Sequence, residues 1–304
     1  MVHFAIAAPA IAGIIVFLTG IYLLFRNTTS LSSGEIRLAI ATLFIAPPLA
    51  TFGMEHLVIP KIIEQIVPAW LPARLFITYV VGVALIASSL SLISKKLLRL
   101  STLLLGVMFL LFVLLMHIPA AVHEPHNRLG WLLVFRDSTF AFGGFALYRC
   151  ASGRDDSPLW LELIRVWAGL AITFFGVQHM LHPECSPGVP SPRITPAWVP
   201  APLLLSYVVG SVLIACGVAM LIRKRAVEAA TITGHLMVFL TVCLYLPDAL
   251  LPRSLASLVG TNYVFDTLLY GGMLLAIAKA ISTPARKVPV EVLAPVSSSA
   301  AGVE

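Results

Sequence analysis

The chain has 304 residues, of which 59% are hydrophobic and 11% are charged, and its mean hydropathy is +0.96. Soluble globular proteins do not have this composition, so the sequence predicts an integral membrane protein. A spanning helix takes about 20 residues, which allows at most about ten crossings and excludes a large soluble catalytic domain. The apolar stretches lack the alternation of a membrane β-barrel, so the predicted fold class is all-α.

The net charge of +6 comes from basic residues grouped in short connections. Lys95, Lys96 and Arg99 form one group, and 223–225 form another. Such groups orient a helix bundle in the bilayer. The pattern of a nucleic-acid-binding groove, in which aromatic residues lie between the basic residues, is missing. The predicted partner is therefore the lipid bilayer and not nucleic acid.

In chain order, nine apolar stretches of spanning length are predicted. The first, Phe4–Phe25, has no charge before it and no cleavage site after it, so it is interpreted as a retained anchor. The segment 282–304 is rich in Pro, Ser and Ala and is predicted to be a disordered cytoplasmic tail. The other eight stretches lie at about 36–56, 74–94, 98–118, 130–148, 161–181, 202–222, 230–250 and 261–281.

Lys and Arg counts in the short connections predict the orientation. The connections after the third, fifth and seventh stretches, and the tail, carry more basic residues than the connections between them. The positive-inside rule makes the basic set cytoplasmic, which places the N-terminus outside and the C-terminus inside.

An internal repeat is the strongest pattern in the sequence. Residues 68–87 align with 196–215 at an offset of 128, with identity at 13 of 20 positions. We interpret this as a duplication: an N-terminal helix and its connection, 1–34, precede two four-helix units, 35–150 and 151–281. An even number of helices per unit makes the two units parallel, related by a pseudo-twofold axis along the membrane normal.

Each unit carries the same short motifs. Phe-Gly-x-x-His ends its first helix, as Phe52–His56 and Phe175–His179, and a Pro-Ala-Trp loop, a Tyr-x-x-Gly and a late Pro follow. This pattern over residues 35–281 resembles the DoxX-like membrane family. Departures within the repeat are Glu55 against Gln178 and His117 against Tyr245.

The resemblance implies a four-helix unit in a bacterial inner membrane. Some members of that family are linked to redox complexes, including a quinone-reducing thiosulfate oxidoreductase, and many have no assigned activity. It therefore implies a quinone or another lipophilic small molecule as candidate ligand and a redox-complex subunit as candidate protein partner. Whether the chain is an enzyme stays open, and no catalytic residue is assigned.

Polar and aromatic residues are predicted to gather at the outer face, where each half has a polar pocket built from the His56 or the His179 region. A neutral imidazole there could donate to a quinone carbonyl or take up a quinol proton, with the neighbouring carboxyl as a second proton acceptor. The candidate residues are Glu55, His56, Trp70, Tyr79, His117, Asp137, Gln178, His179, Trp198, Tyr207 and Asp266.

Structural roles compete with this interpretation for every candidate. Trp70 and Trp198 also suit an interfacial belt, and a histidine at a helix end commonly bonds a loop carbonyl. Ionisable groups such as Asp137 and Asp266 must pair, face water or face the bundle interior, and the expected partner of Asp137 is on another helix rather than beside it in sequence. In a structural role, each would bond a loop or a tyrosine such as Tyr79 or Tyr207.

Metal and haem sites are not predicted. The four cysteines lie too far apart for a CxxC or a thiolate metal motif. A bis-histidine haem could use His56 with His117, but the second unit has Tyr245 at the matching position.

Three functional hypotheses follow from the sequence. The favoured one is an inner-membrane subunit that contacts a quinone or another lipophile. The first alternative is a non-enzymatic membrane scaffold or assembly factor, and the second is a small-solute transporter, which is disfavoured because the spans lack a break at the midplane.

Overall fold

The computed structural model describes residues 2–153, 158–189, 193–251 and 258–282. The tail predicted at 282–304 lies outside the described residues, except that Ser282 ends the last helix. The helices are α1 (Val2–Asn27), α2 (Ser33–Val58), α3 (Pro60–Ile63), α4 (Arg74–Ser94), α5 (Leu98–Phe112), α6 (Ile118–His123), α7 (Arg128–Ser152), α8 (Pro158–Leu181), α9 (Pro202–Leu221), α10 (Ala226–Leu240), α11 (Leu246–Ala249) and α12 (Leu258–Ser282).

Among the described residues, 8 helices are long and apolar enough to cross a membrane. The all-α class is confirmed, and these helices fit a multi-pass membrane protein. The predicted stretch 130–148 lies in α7, which is not one of the eight and carries Arg136 and Asp137 in its first half. The count of nine spans therefore stays a prediction.

Glycines set the spacing of two helix pairs. A Cβ on Gly53 of α2 would lie 2.8 Å from the carbonyl oxygen of Gly82 in α4. A Cβ on Gly176 of α8 would lie at the same 2.8 Å from the carbonyl oxygen of Gly210 in α9. Only residues without side chains allow backbones to approach this closely in a membrane. The approach brings His56 and His179 against the facing glycines, since a Cβ on Gly82 or Gly210 would meet their Cβ atoms at 2.8 and 2.9 Å.

Helix α12 is the central helix of the bundle. It packs against α2, α7 and α10, and most of its side chains are buried. Its last two-thirds contain the fully buried Leu269, Met273, Leu274 and Ile277. Because α12 has little exposed surface, the polar residues near its start, Asn262 and Asp266, lie inside the bundle.

Two π-helical segments each lie just before a proline. Val113–His117 follows α5 and precedes Pro119, and Thr241–Tyr245 follows α10 and precedes Pro247. Proline cannot donate to the carbonyl four residues earlier, and a π-turn re-pairs the neighbouring groups with i→i−5 bonds, such as Ile118 N to the Val113 carbonyl. Segments of this type commonly mark functional sites, and they end here at His117 and Tyr245.

Candidate functional site

A cavity of about 490 Å³ lies at the end of the bundle where α2 ends and α4 begins. We call this end the pocket face. Side chains from α2, α4, α5, α7 and α12 line the cavity, and the connection between α2 and α4 covers it with Ile63, Ile66, Val67 and Leu71. Most of the lining is apolar. Its charged and strongly polar members are Glu55, His56, Arg136, Asp137, Asn262 and Asp266.

Arg136 joins two carboxylates on different helices. Its Nε donates to Asp137 Oδ1 at 2.7 Å, and its Nη1 donates to Asp266 Oδ2 at 2.9 Å. His117 Nε2 lies 2.8 Å from the other Asp137 oxygen. These side chains are at most about one-fifth exposed, and such buried charges persist only when they are paired.

This cluster answers the pairing question that the sequence left open. Asp137 does have a partner on another element, His117, but Arg136, its neighbour in sequence, bonds it as well. Asp266 has no basic neighbour in sequence and receives Arg136 from α7. Tyr79 and Tyr207 do not pair with the aspartates, because they are 41% and 44% exposed on the helix surfaces.

Glu55 and His56 meet the cavity from the last turns of α2. Glu55 is 3% exposed, and Asn262, with its amide nitrogen turned toward it, donates to Glu55 Oε1 and to the Leu258 carbonyl. His56 Nδ1 lies 2.7 Å from the Phe52 carbonyl oxygen of its own helix. No described residue bonds His56 Nε2. The cavity lining therefore includes three carboxyl groups, two of them bonded to Arg136, and an imidazole nitrogen that bonds no described residue.

An apolar groove continues from the cavity between α4 and α5. It has a volume of about 620 Å³ and shares Val81, Met108 and Leu111 with the cavity. From there it runs past Ala84 and Leu104 to the opposite end of the two helices. Because α4 and α5 carry exposed leucines and valines on this side, the groove would face lipid in a membrane.

The matching region of the second unit is filled by its own chain. His179 is fully buried, and its Nε2 lies 3.1 Å from the amide nitrogen and 3.0 Å from the carbonyl oxygen of Gly188. Tyr245, the counterpart of His117, donates to the Pro187 carbonyl oxygen at 2.7 Å. An antiparallel bridge between Cys185 and Ile194 holds the segment in a loop. We call residues 182–189 the plug.

The remaining predicted residues divide by location. Gln178 lies beside the plug, and its Oε1 is buried without a partner in the described part of the chain. Trp70 and Trp198 are 64% and 44% exposed and do not line the cavity. The structure thus brings together Glu55, His56, Asp137 and Asp266, with His117 bonded behind them, and keeps the other six candidates apart from that group.

Sequence reasoning missed two members of the cavity. Arg136 was considered only as a neighbour of Asp137, although an arginine inside an apolar helix is itself a sign of a buried ion pair. Asn262 carries no sequence signal, because it is a single amide on another helix, 207 residues after Glu55. Among the described residues, no group of three His, Cys, Asp or Glu side chains could hold a metal ion.

Residues 26–137 are similar to a family described as a domain of unknown function, DUF8561. The matched segment runs from the end of α1 to Asp137, so it includes Glu55, His56, His117 and Arg136 but not α12. The comparison with curated proteins and the comparison with solved structures gave no match.

Proposed function

We propose that the chain is a DoxX-like protein of a bacterial inner membrane whose first unit binds a lipophilic molecule, with a quinone-type compound as the candidate ligand. In this proposal the protein has nine spans, one before two parallel four-helix units. The pocket face is at the outer surface of the membrane, and the N-terminus is on that same side. Its partner would be a subunit of a redox complex.

Matching contacts in the two halves support the duplicated arrangement. The glycine pairs of α2 with α4 and of α8 with α9 have the same spacing, and the π-helical segments are 128 residues apart. Ala73 and Ala201, also 128 residues apart, both precede a helix in the left-handed conformation, with φ of 51° and 46°. Repetition of such an uncommon backbone conformation favours a common origin over chance.

The cavity and its groove carry the ligand proposal. A polar end inside the bundle that continues into an apolar groove open to lipid suits a ligand with a polar head and a hydrocarbon tail. The combined dimensions of about 490 and 620 Å³ are in the range of small-molecule sites. The head would lie beside Glu55, His56 and Arg136, and the tail would lie between α4 and α5.

Blocking the groove tests this proposal. Purified protein in lipid nanodiscs would be titrated with a long-chain benzoquinone and, under reducing conditions, with its quinol, and binding would be followed by displacement of a photoreactive analogue. Ala84→Trp fills the groove and is expected to weaken binding at least about tenfold, which corresponds to about 1.4 kcal/mol. Val83→Trp is the matched control, because Val83 is 59% exposed on the same helix and lines neither space.

The result also separates the competing function. If the wild-type protein binds neither the quinone nor its quinol, or if both tryptophan variants bind equally well, the ligand proposal is wrong. A stable protein partner that co-purifies equally with both variants would then favour the scaffold function.

A further inference from the structure

We propose that the headgroup held in the first unit is a hydroxyl donor, a phenol or quinol rather than a quinone, and that its O–H donates to His56 Nε2. This inference rests on the proposed function, since it specifies the chemistry of a ligand already placed in the cavity. It concerns which form is bound and includes no electron transfer.

The tautomer of His56 is set by its own helix. Its Nδ1 lies 2.7 Å from the Phe52 carbonyl oxygen, and a carbonyl only accepts hydrogen bonds. Nδ1 therefore carries the proton. In a neutral imidazole the other nitrogen is then an acceptor, and no carboxylate is bonded to the ring to favour the cation. His56 Nε2 accordingly offers a lone pair to whatever occupies the cavity.

None of the described donors that line the cavity bonds this lone pair. Arg136 directs Nε to Asp137 and Nη1 to Asp266. Asn262 directs its amide nitrogen to Glu55 and Leu258. A quinone brings acceptors only, so it would leave His56 Nε2 unpaired next to a carbonyl oxygen, whereas a hydroxyl pairs with it directly.

The second unit shows which group fills the same position when the chain supplies it. His179 corresponds to His56 in the Phe-Gly-x-x-His motif, and the backbone of Gly188 lies against its Nε2 with both a donor and an acceptor, at 3.1 and 3.0 Å. A hydroxyl also combines a donor with an acceptor in one small group. The plug thus occupies, with the backbone of Gly188, the position that we assign to the ligand hydroxyl in the first unit.

Glu55 is compatible with this headgroup in either protonation state. As a carboxylate it accepts from a second hydroxyl, and as a carboxylic acid it donates to the hydroxyl oxygen. The selectivity of the site is therefore assigned to His56, whose donor is fixed on Phe52.

A matched pair of probes tests the inference. A long-chain 4-alkylphenol and its O-methyl ether differ only in the hydroxyl hydrogen and a methyl group. Each would be titrated into nanodiscs at the same mole fraction of the lipid, and each would compete with a photoreactive probe in the cavity. Because a site built to bond a hydroxyl rejects an analogue that lacks it, the wild-type protein is expected to prefer the phenol by at least about tenfold.

Substitutions of His56 test whether the preference for the phenol depends on Nε2 of this residue. His56→Phe is expected to bind both probes with equal affinity, and His56→Gln, which keeps an acceptor oxygen, is expected to retain part of the preference. His235→Ala is the matched control, because the exposed His235 on α10 bonds the Thr231 carbonyl through Nδ1 in the same way and does not line the cavity. It should leave the wild-type preference unchanged.

Failure of this inference is distinct from failure of the proposed function. Equal binding of the phenol and the ether by the wild-type protein, or a preference that survives His56→Phe, overturns the hydroxyl assignment and leaves a lipophile site. If neither the phenol nor the ether binds, both the hydroxyl assignment and the proposed lipophile site are wrong.

Discussion

Arg136 is the residue on which the buried charges of the cavity depend. It connects α7 with α12 through Asp266 and fixes Asp137, which in turn bonds His117 on the π-helical segment. Removing the cation would leave two carboxyl groups without their charged partner in an apolar surrounding. The cost of breaking a buried pair in this way exceeds the net stabilisation that the pair provides, because the remaining charge is uncompensated.

Arg136→Gln is therefore expected to lower the free energy of unfolding by about 3–5 kcal/mol. Thermal unfolding in a fixed detergent would measure the change as a shift of the transition midpoint. Arg99→Gln, which removes an exposed arginine from α5, should shift the midpoint by much less.

A double variant checks the reason for the loss. Adding Asp266→Asn to Arg136→Gln removes one of the uncompensated carboxylates and should recover part of the stability, so that the two substitutions are not additive. Strictly additive losses would show that Arg136 does not act through Asp266.

The sequence predicts which residues line the cavity better than it predicts which of them bond one another. The repeat and the depth of each group along its helix were enough to select Glu55, His56, Asp137 and Asp266, which line one cavity in the structure. The bond from Arg136 to Asp266 joins helices 130 residues apart in sequence, and no periodicity within either helix encodes it. Whether these residues form a functional site remains a prediction.

At the scale of helices, the glycine contacts hold His56 and its cavity in place. A Cβ on Gly53 would lie 2.6 Å from the Ile86 side chain, 2.8 Å from the Gly82 carbonyl oxygen and 3.0 Å from the Ile86 backbone nitrogen. The side chain can rotate, but the two backbone atoms move only with α4. The helices α2 and α4 must then separate, which moves His56 away from the α4 side of the cavity. Sequence analysis could predict close packing at Gly82 and Gly210 from the repeat, since small residues at equivalent positions are typical of membrane helix contacts.

Gly53→Ala is expected to destabilise the protein by about 1–3 kcal/mol, the usual cost of overpacking a close contact. Gly34→Ala is the matched control on the same helix, because its Cβ would meet only the end of the Lys279 side chain, at 3.3 Å. Unfolding midpoints of both variants, measured in the same detergent, test the difference. Equal midpoints would contradict a tight contact between α2 and α4.

The sequence predicts the extra length of the plug but not its role. The second unit has about five more residues after its histidine than the first, which indicates a longer loop and nothing about its path. The path depends on contacts distant in sequence, from His179 and Tyr245 to the backbone of Gly188 and Pro187. Gly188 adopts a φ of +118°, which favours glycine at this position.

The orientation of the whole molecule gives a third prediction. With the basic connections in the cytoplasm, a membrane-impermeant maleimide added to intact cells should label single cysteines at Lys61 or Glu184 and should not label them at Lys96 or Lys224. All four side chains are exposed, and the native cysteines would be replaced by serine. Labelling after cell lysis controls for reactivity. The reverse pattern would place the pocket face in the cytoplasm.

The two halves of the molecule are predicted to bind ligand unequally despite their similar sequences. His56 lies at an open cavity, whereas His179 is closed by the plug, so one chain should bind one equivalent of a long-chain phenol. His179→Phe removes the bond to Gly188 from a buried site and should lower the free energy of unfolding by about 1–3 kcal/mol. Because the affected nitrogen is remote from the first cavity, the affinity for the phenol should stay within about twofold of wild type.

His56→Phe should show the opposite pattern, with weakened binding and a smaller change in stability, since its Nε2 bonds no described residue. Native mass spectrometry would count the bound phenol, and thermal unfolding would rank the two variants. Two equivalents per wild-type chain, or equal losses of affinity in both variants, would mean that the plug does not close the second unit.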